Sequence, residues 1–275
     1  MPFQRAIFDE IYTNYESIEK IYKSGYMKPE VFKDKIIYCN CDDYRWSNYV
    51  KFWKNNFEYF NIKKIIATNY DIGDGAYIYT YDGKNEKIEQ GREDGSFEHY
   101  SDFVTEDTII ITNPPFSKSR CFFVWLQKNN AKFYIHNSWV NTIKFFNNLN
   151  DIYAAHIHIK YDAPAWDKYG ITVNASGIVT NIVFDKTDSK VKLTKTFDEV
   201  KHDFYYEDDF YKGDKWKGRI LNVDRCENIP NDYDDFIGVP ISFIAVQPYI
   251  RKQYKIYGVA IYGKKFFRLR IKKIK

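Results

Sequence analysis

Apolar positions in the first half of the chain fall into short β-branched runs separated by helical stripes. Residues 35 to 39 (KIIYC) form an apolar run, followed by the polar loop CNCDD and then by RWSNYVKFWKNNFEYF. In that last segment Tyr49, Phe52, Trp53, Phe57 and Phe60 recur at three- and four-residue spacing, which predicts an amphipathic helix with Ser47 at its N-cap. Residues 62 to 68 (IKKIIAT) predict a second strand and 108 to 112 (TIIIT) a third. Residues 119 to 127 predict a helix capped by Ser117, and 132 to 136 (KFYIH) a further strand. Strands alternating with helices predict an α/β fold with a mostly parallel, doubly wound sheet. Between Asp71 and Asp107 the chain is polar and without sustained period, which predicts long loops or a hairpin over one sheet edge.

Beyond residue 150 the texture changes. DIYAAHIHIK, GIVTNIVF, YKIYGVAIYG and KFFRLRIKK all have strand character, and in the last of them Phe267, Leu269 and Ile271 alternate with Arg268, Arg270 and Lys272. A period of two with one apolar and one basic face predicts an antiparallel finish. No repeat, low-complexity tract or Pro-rich linker marks a boundary. The expected organisation is one elaborated domain, 1–275, with an α/β part over 1–150 and a β-rich part over 151–275.

Composition narrows the class. Of 275 residues 44% are hydrophobic and 19% aromatic, which excludes a disordered or collagen-like chain and leaves enough apolar surface for a core without metal or disulfide support. Cys39, Cys41, Cys121 and Cys226 are scattered and have no paired partner motif, so free thiols are expected and no metal site. No apolar stretch is long enough for a membrane span and the N-terminal segment lacks a secretion-signal pattern, so a cytoplasmic protein is expected. The formal charge of +4 excludes a strongly basic nucleic-acid coat. It is unevenly distributed, because residues 251 to 275 hold ten Lys and Arg and no acid, leaving −6 for the rest. Two readings stand for Arg268, Arg270 and Lys272: phosphate contacts on DNA, or solvated charges that protect an edge strand from aggregation. His156 and His158 alternate with isoleucines and have no third ligand in view, which favours a hydrogen-bonded face over a metal site.

The segment with the clearest chemistry is Asn113-Pro114-Pro115-Phe116, directly after TIIIT. Ligands in open α/β sheets sit at the carboxyl ends of strands. An exocyclic amine is a poor nucleophile, and positive charge moves onto its nitrogen when it attacks a sulfonium methyl. The Asn113 amide oxygen and the Pro114 carbonyl would accept from that amine and stabilise the developing charge, an oxyanion hole with the sign reversed. Two prolines fix φ and remove competing donors, and Phe116 would stack on the base, worth about 1–3 kcal/mol.

Asn-Pro-Pro-Phe resembles the motif of adenine-N6 methyltransferases. Further stretches narrow the resemblance to the EcoRI modification methylase family: FDEIYTN (8 to 14), IIYCNCDDYRWSNYVKFWKNNFEYFNIKKIIAT (36 to 68), GSF (95 to 97) with TIIITNPPFS (108 to 117), and IPNDYDDFIGVPISF (229 to 243). The resemblance implies a Rossmann-like S-adenosylmethionine-dependent methyltransferase fold, S-adenosyl-L-methionine as donor and adenine in double-stranded DNA as acceptor. It implies catalytic and base-holding roles for Asn113, Pro114, Pro115 and Phe116. Tyr12 and Thr13 match a segment that contacts the donor's methionine end, and Asp42, Asp43, Ser47 and Asn48 occupy the loop that surrounds it. Asp71 stands where an acid would meet ribose hydroxyls. The chain departs from the family in lacking Asp before Phe97, where it has Ser96, and in Tyr44, where a proline usually follows the acidic pair. The competing functions are methyl transfer to RNA or a protein amide, and a non-catalytic DNA-binding relative.

Overall fold

The uninterrupted apolar run TIIIT becomes a strand buried at every position, as a strand covered on both faces must be. A computed structural model describes residues 13–23, 25–71, 73–155, 176–184, 187, 189–208, 217–262 and 266–274. In chain order the first elements are α1 (Tyr15–Lys23), β1 (Ile36–Cys39), α2 (Asn48–Asn55), β2 (Lys64–Thr68), β3 (Tyr77–Tyr81), β4 (Glu86–Gln90) and β5 (Thr108–Thr112). They continue with α3 (Ser119–Lys128), β6 (Lys132–Ser138), α4 (Trp139–Phe145), β7 (Tyr153–Ala155) and β8 (Ser176–Thr180). The sheet order is β4-β3-β2-β1-β5-β6-β8-β7. Its centre, β2-β1-β5-β6, is parallel, whereas β3, β4 and β8 run antiparallel to their neighbours. The fold is therefore mixed α/β, with the expected parallel arrangement confined to the middle.

The chain divides into two compact units, Met1–Phe146 with Ala155–Asp185 and Asn147–Ala154 with Lys186–Lys275. In the first unit the predicted stripe of α2 is buried at all five positions. Trp53 lies 4.8 to 5.3 Å, centroid to centroid, from Tyr22, Phe32, Phe60 and Phe52. Each such ring pair contributes about 0.5–1.5 kcal/mol beyond its buried area, so this cluster fixes α2 and the loop that precedes it. Helix α1 was not foreseen: its Ile18, Ile21 and Tyr22 make a stripe of three residues on only nine. The polar stretch after Asp71 forms the β3–β4 hairpin at the sheet edge, where the fully exposed β4 (EKIEQ) carries the charges that discourage edge pairing. A 3-10 segment, Phe97–Phe103, follows it.

The second unit contains β9 (Phe204–Asp208), β10 (Lys217–Asn222), β11 (Ile237–Pro240), α5 (Pro248–Arg251), β12 (Tyr254–Tyr262) and β13 (Phe266–Lys273), with sheet order β12-β13-β11-β10-β9. All pairings are antiparallel except β10 with β11. Leu269 and Ile271 are fully buried as the alternation predicts. β13 lies inside the sheet rather than at its edge, and its opposite face is not a solvated row, because the Phe236 ring and the Tyr257 carbonyl close over Arg270 while Arg268 and Lys272 are half-buried. Arg270 is 3% exposed, donates to the Tyr257 carbonyl at 3.4 Å and has its guanidinium 5.7 Å from the Phe236 ring. Arg251 is likewise buried, donating to the Leu149 carbonyl at 2.7 Å, and burial pulls its pKa down to about 10. His156, His158 and Tyr12 lie outside the described residues.

Candidate active site

From β1 the chain turns to β2 on one side and to β5 on the other, so the order of the sheet reverses between β1 and β5. The crevice beyond the carboxyl ends of two such strands is where open α/β sheets bind ligands. Asn40 to Asp43 leave β1 at this point and Asn113 to Phe116 leave β5.

One carboxylate joins the two loops. Thr112, the last residue of β5, donates from Oγ1 to Asp42 Oδ2 at 2.7 Å, and Ser47 donates from Oγ to Asp42 Oδ1 at 2.7 Å. The Asp42 amide also donates to the Thr68 carbonyl at the end of β2. Ser47 is the predicted N-cap, its Oγ accepting from the amides of Tyr49 and Val50. Asn48 donates from Nδ2 to the Thr13 carbonyl at 2.9 Å. The structure thus brings Thr13, Asp42, Ser47 and Asn48 together. Thr13 Oγ1 is buried and makes no hydrogen bond among the described residues.

Asp43 has a different role in this geometry. Both its oxygens accept from Arg45, Oδ1 from Nε at 2.9 Å and Oδ2 from Nη2 at 2.6 Å, and these bonds raise the Arg45 pKa. The guanidinium also lies 4.2 Å from the ring of Trp46, which is 42% exposed. Tyr44 stacks on Tyr79 at 5.0 Å and 2° and so ties the loop to the hairpin.

After β2, Asp71 Oδ1 accepts from the amides of Gly73 at 2.7 Å and Gly75 at 2.9 Å, which holds its carboxyl below the usual range. The Asp71 amide donates to the Asp94 carbonyl, and Asn69 lies against Gly95. Gly95 has φ +74°, and a Cβ there would meet the Asn69 oxygen at 2.0 Å, so only glycine fits this turn. Ser96 is buried at 6% exposure and its amide donates to Asp94 Oδ1. Asp94 Oδ1 also lies 3.2 Å from His99 Nε2.

Beyond β5, Asn113 and Pro115 are half-buried and Pro114 is buried. Phe116–Lys118 is a 3-10 turn, closed by the Lys118 amide on the Pro115 carbonyl. That turn makes Lys118, not Ser117, the N-cap of α3, with no side-chain cap bond. Lys118 Nζ lies 4.3 Å from the ring of Tyr70, 40% exposed, linking the loops after β5 and β2. Thr112, Arg45, Asn69 and this Lys118–Tyr70 pair were not singled out in the sequence. The only local signal for Thr112 is a polar residue closing an apolar strand. All four cysteines are free: Cys39 and Cys226 are buried, Cys41 is half-buried, and Cys121 is exposed on the outer side of α3. No helix among the described residues is long and apolar enough to cross a membrane.

The model of the family described as adenine-specific methyltransferase EcoRI matches residues 3–273. The chain is 29% identical over 279 residues to the Type II methyltransferase M.EcoRI of Escherichia coli, covering 86% of this chain and 82% of that protein. It is 26% identical to the Type II methyltransferase M.MpnI of Mycoplasma pneumoniae, with 88% and 80% covered, and 25% identical to M.MgeORF184P of Mycoplasma genitalium, with 78% and 72% covered. No solved structure matches. With its Asn-Pro-Pro-Phe loop at the switch point of the sheet and the family model spanning nearly its whole length, the chain belongs to the EcoRI family of adenine-specific methyltransferases.

Proposed function

We propose that the protein is a site-specific DNA adenine-N6 methyltransferase that moves a methyl group from S-adenosyl-L-methionine to a flipped-out adenine in duplex DNA, as the partner of a restriction enzyme or as an orphan, in the cytoplasm. The observation that carries this reading is the Thr112–Asp42 hydrogen bond, which joins the loop after β1 to the loop after β5 at the reversal of the sheet. The parallel centre β2-β1-β5-β6, continued by the reversed β8, supports a Rossmann-like methyltransferase fold.

The residues present fit the donor. Asp42, oriented by the hydroxyls of Thr112 and Ser47, is the acid that would meet the donor's ammonium, whereas Asp43 is paired with Arg45 and holds the loop. Thr13, whose buried hydroxyl has no partner among the described residues, and Asn48 beside the α2 N-terminus suit the amino-acid end. Asp71 and Ser96 would face the ribose and base, and Tyr12 would join Thr13. When bound, the donor supplies an electrophilic sulfonium methyl. Asn113 Oδ1 and the Pro114 carbonyl then accept from the adenine amine and hold its lone pair toward the methyl, Pro115 keeps the loop extended, and Phe116 stacks on the base. Alignment does most of the work in such a displacement, and no strong general base is needed.

Flipping the base out costs a few kcal/mol. Arg268 and Lys272, both half-buried on β13, are the proposed phosphate contacts, with the buried Arg270 supporting them from within the sheet. The two units are proposed to act as one methyltransferase domain, the first carrying the chemistry and the second contacting DNA.

Incubation with methyl-labelled donor and duplex DNA should yield N6-methyladenine. Asn113→Ala should lower the rate by at least about 100-fold, the scale of losing one preorganised partner, with the melting temperature unchanged. Label appearing only in RNA or protein, or DNA binding without donor binding, would overturn the assignment.

A further inference from the structure

Asn40, Asn56, Asn69, Asn137 and Asn222 are buried among the described residues. Four of these carboxamides are bonded to the chain. Asn56 donates to the Phe52 carbonyl, Asn69 donates to the carbonyls of Tyr70 and Gly75 and accepts from the Tyr77 amide, Asn137 accepts from the Ser138 amide, and Asn222 donates to Asp203 and accepts from Arg268. Asn40 differs: it is 1% exposed, and neither its Nδ2 nor its Oδ1 has a partner among the described residues. A buried carboxamide with both ends unpaired is a standing cost to the folded state, and an unpaired buried polar group demands an explanation.

Its position supplies one. Asn40 is the first residue beyond β1, its carbonyl accepts from Thr68 Oγ1 at the end of β2, and it stands two residues before Asp42 at the reversal of the sheet. A carboxamide offers a donor and an acceptor side by side, which is the complement of an adenine edge, where a ring nitrogen adjoins the exocyclic amine. We propose that Asn40 is a donor-binding residue whose Nδ2 and Oδ1 pair with the adenine edge of S-adenosylmethionine. The inference rests on the methyltransferase reading above. Position favours the donor over the target base, since Asn40 leaves β1 two residues before Asp42, which meets the donor in that reading, whereas Asn113 and Pro114, which accept from the flipped base, leave β5.

Calorimetry of the full chain with S-adenosylhomocysteine, adenosine and methionine, on the wild type, Asn40→Leu and Asn40→Ala, tests this. Asn40→Leu should weaken S-adenosylhomocysteine and adenosine by about tenfold or more and leave methionine unchanged. In the absence of any probe its melting temperature should stay level or rise by roughly 2–4 °C, because an unpaired polar group has been removed. The KM for the donor should rise with kcat at saturation held within about threefold. Asn40→Ala reads the same binding loss should the leucine disturb packing. Wild-type affinity in both variants would overturn the proposal, as would lower melting temperatures with binding intact, the result expected if Asn40 holds an internal water. Loss of methionine rather than adenosine affinity would overturn the adenine assignment. A wild type that methylates duplex DNA while both variants bind normally refutes this proposal alone, whereas a wild type that neither binds S-adenosylhomocysteine nor methylates DNA refutes the underlying reading as well.

Discussion

At the scale of single residues, the two adjacent acids after β1 have been given opposite tasks by their neighbours. Asp43 is closed off by the Arg45 fork, and Asp42 is aimed by the hydroxyls of Ser47 and Thr112. Each oxygen of Asp42 accepts from one of those hydroxyls, so removing one deletes a hydrogen bond to a buried carboxylate. Thr112→Val keeps the shape of the strand end and deletes the bond to Oδ2. It should cost about 1–3 kcal/mol of stability and raise the KM for the donor, as read by urea unfolding and by initial rates at varied donor. An unchanged KM would mean that Asp42 serves only the fold. Nothing in the sequence near either residue announces this contact, because 70 residues separate Thr112 from Asp42. The Asn-Pro-Pro-Phe string was legible for the opposite reason: its chemistry is carried by four consecutive residues.

Elements were legible where one strong periodic signal sufficed. The α2 stripe, its Ser47 cap and the runs of β1, β2, β5 and β6 are each long or apolar enough to outvote their flanks. Helix α4 has only seven residues and no side-chain cap bond, β9 and β10 mix charges with apolar positions, and β11 has only four residues, so their formation depends on partners far along the chain. Strand β6 shows what full coverage does to a titratable group. His136 is fully buried, and desolvation lowers its pKa to about 3 from 6.5. Between these values the unfolded chain binds a proton that the folded chain refuses. The stability is therefore intact above pH 6.5 and lost as pH falls toward 3, at up to about 1.4 kcal/mol per pH unit. Urea unfolding at pH 7 and pH 5.5 should show a smaller loss for His136→Gln than for the wild type. Equal losses would assign the acid sensitivity to other groups.

At the scale of the whole molecule, the near-neutral charge conceals ten basic residues in the last 25, and those among the described residues are sorted by burial rather than by sequence. Arg251 and Arg270 lie inside the second unit, bonded to the carbonyls of Leu149 and Tyr257, so their charges stabilise a fold instead of a surface. Alternation alone could not separate them from Arg268 and Lys272, since a period of two marks which face a residue shares and not whether a neighbouring strand and ring cover that face. Arg268 donates to Asn222, and Lys272 lies 3.5 Å from Asp235 across a partly exposed pair that contributes little to stability. The two classes should respond oppositely to substitution. Arg268→Gln combined with Lys272→Gln should reduce the slope of log affinity for duplex DNA against log salt by about 1.8, near 0.9 for each phosphate that is no longer neutralised, while the melting temperature shifts little. Arg270→Leu should leave the slope within error and change the unfolding midpoint instead. A salt slope unaltered in the double variant would remove β13 from the DNA-contacting surface and return its basic residues to a role within the sheet.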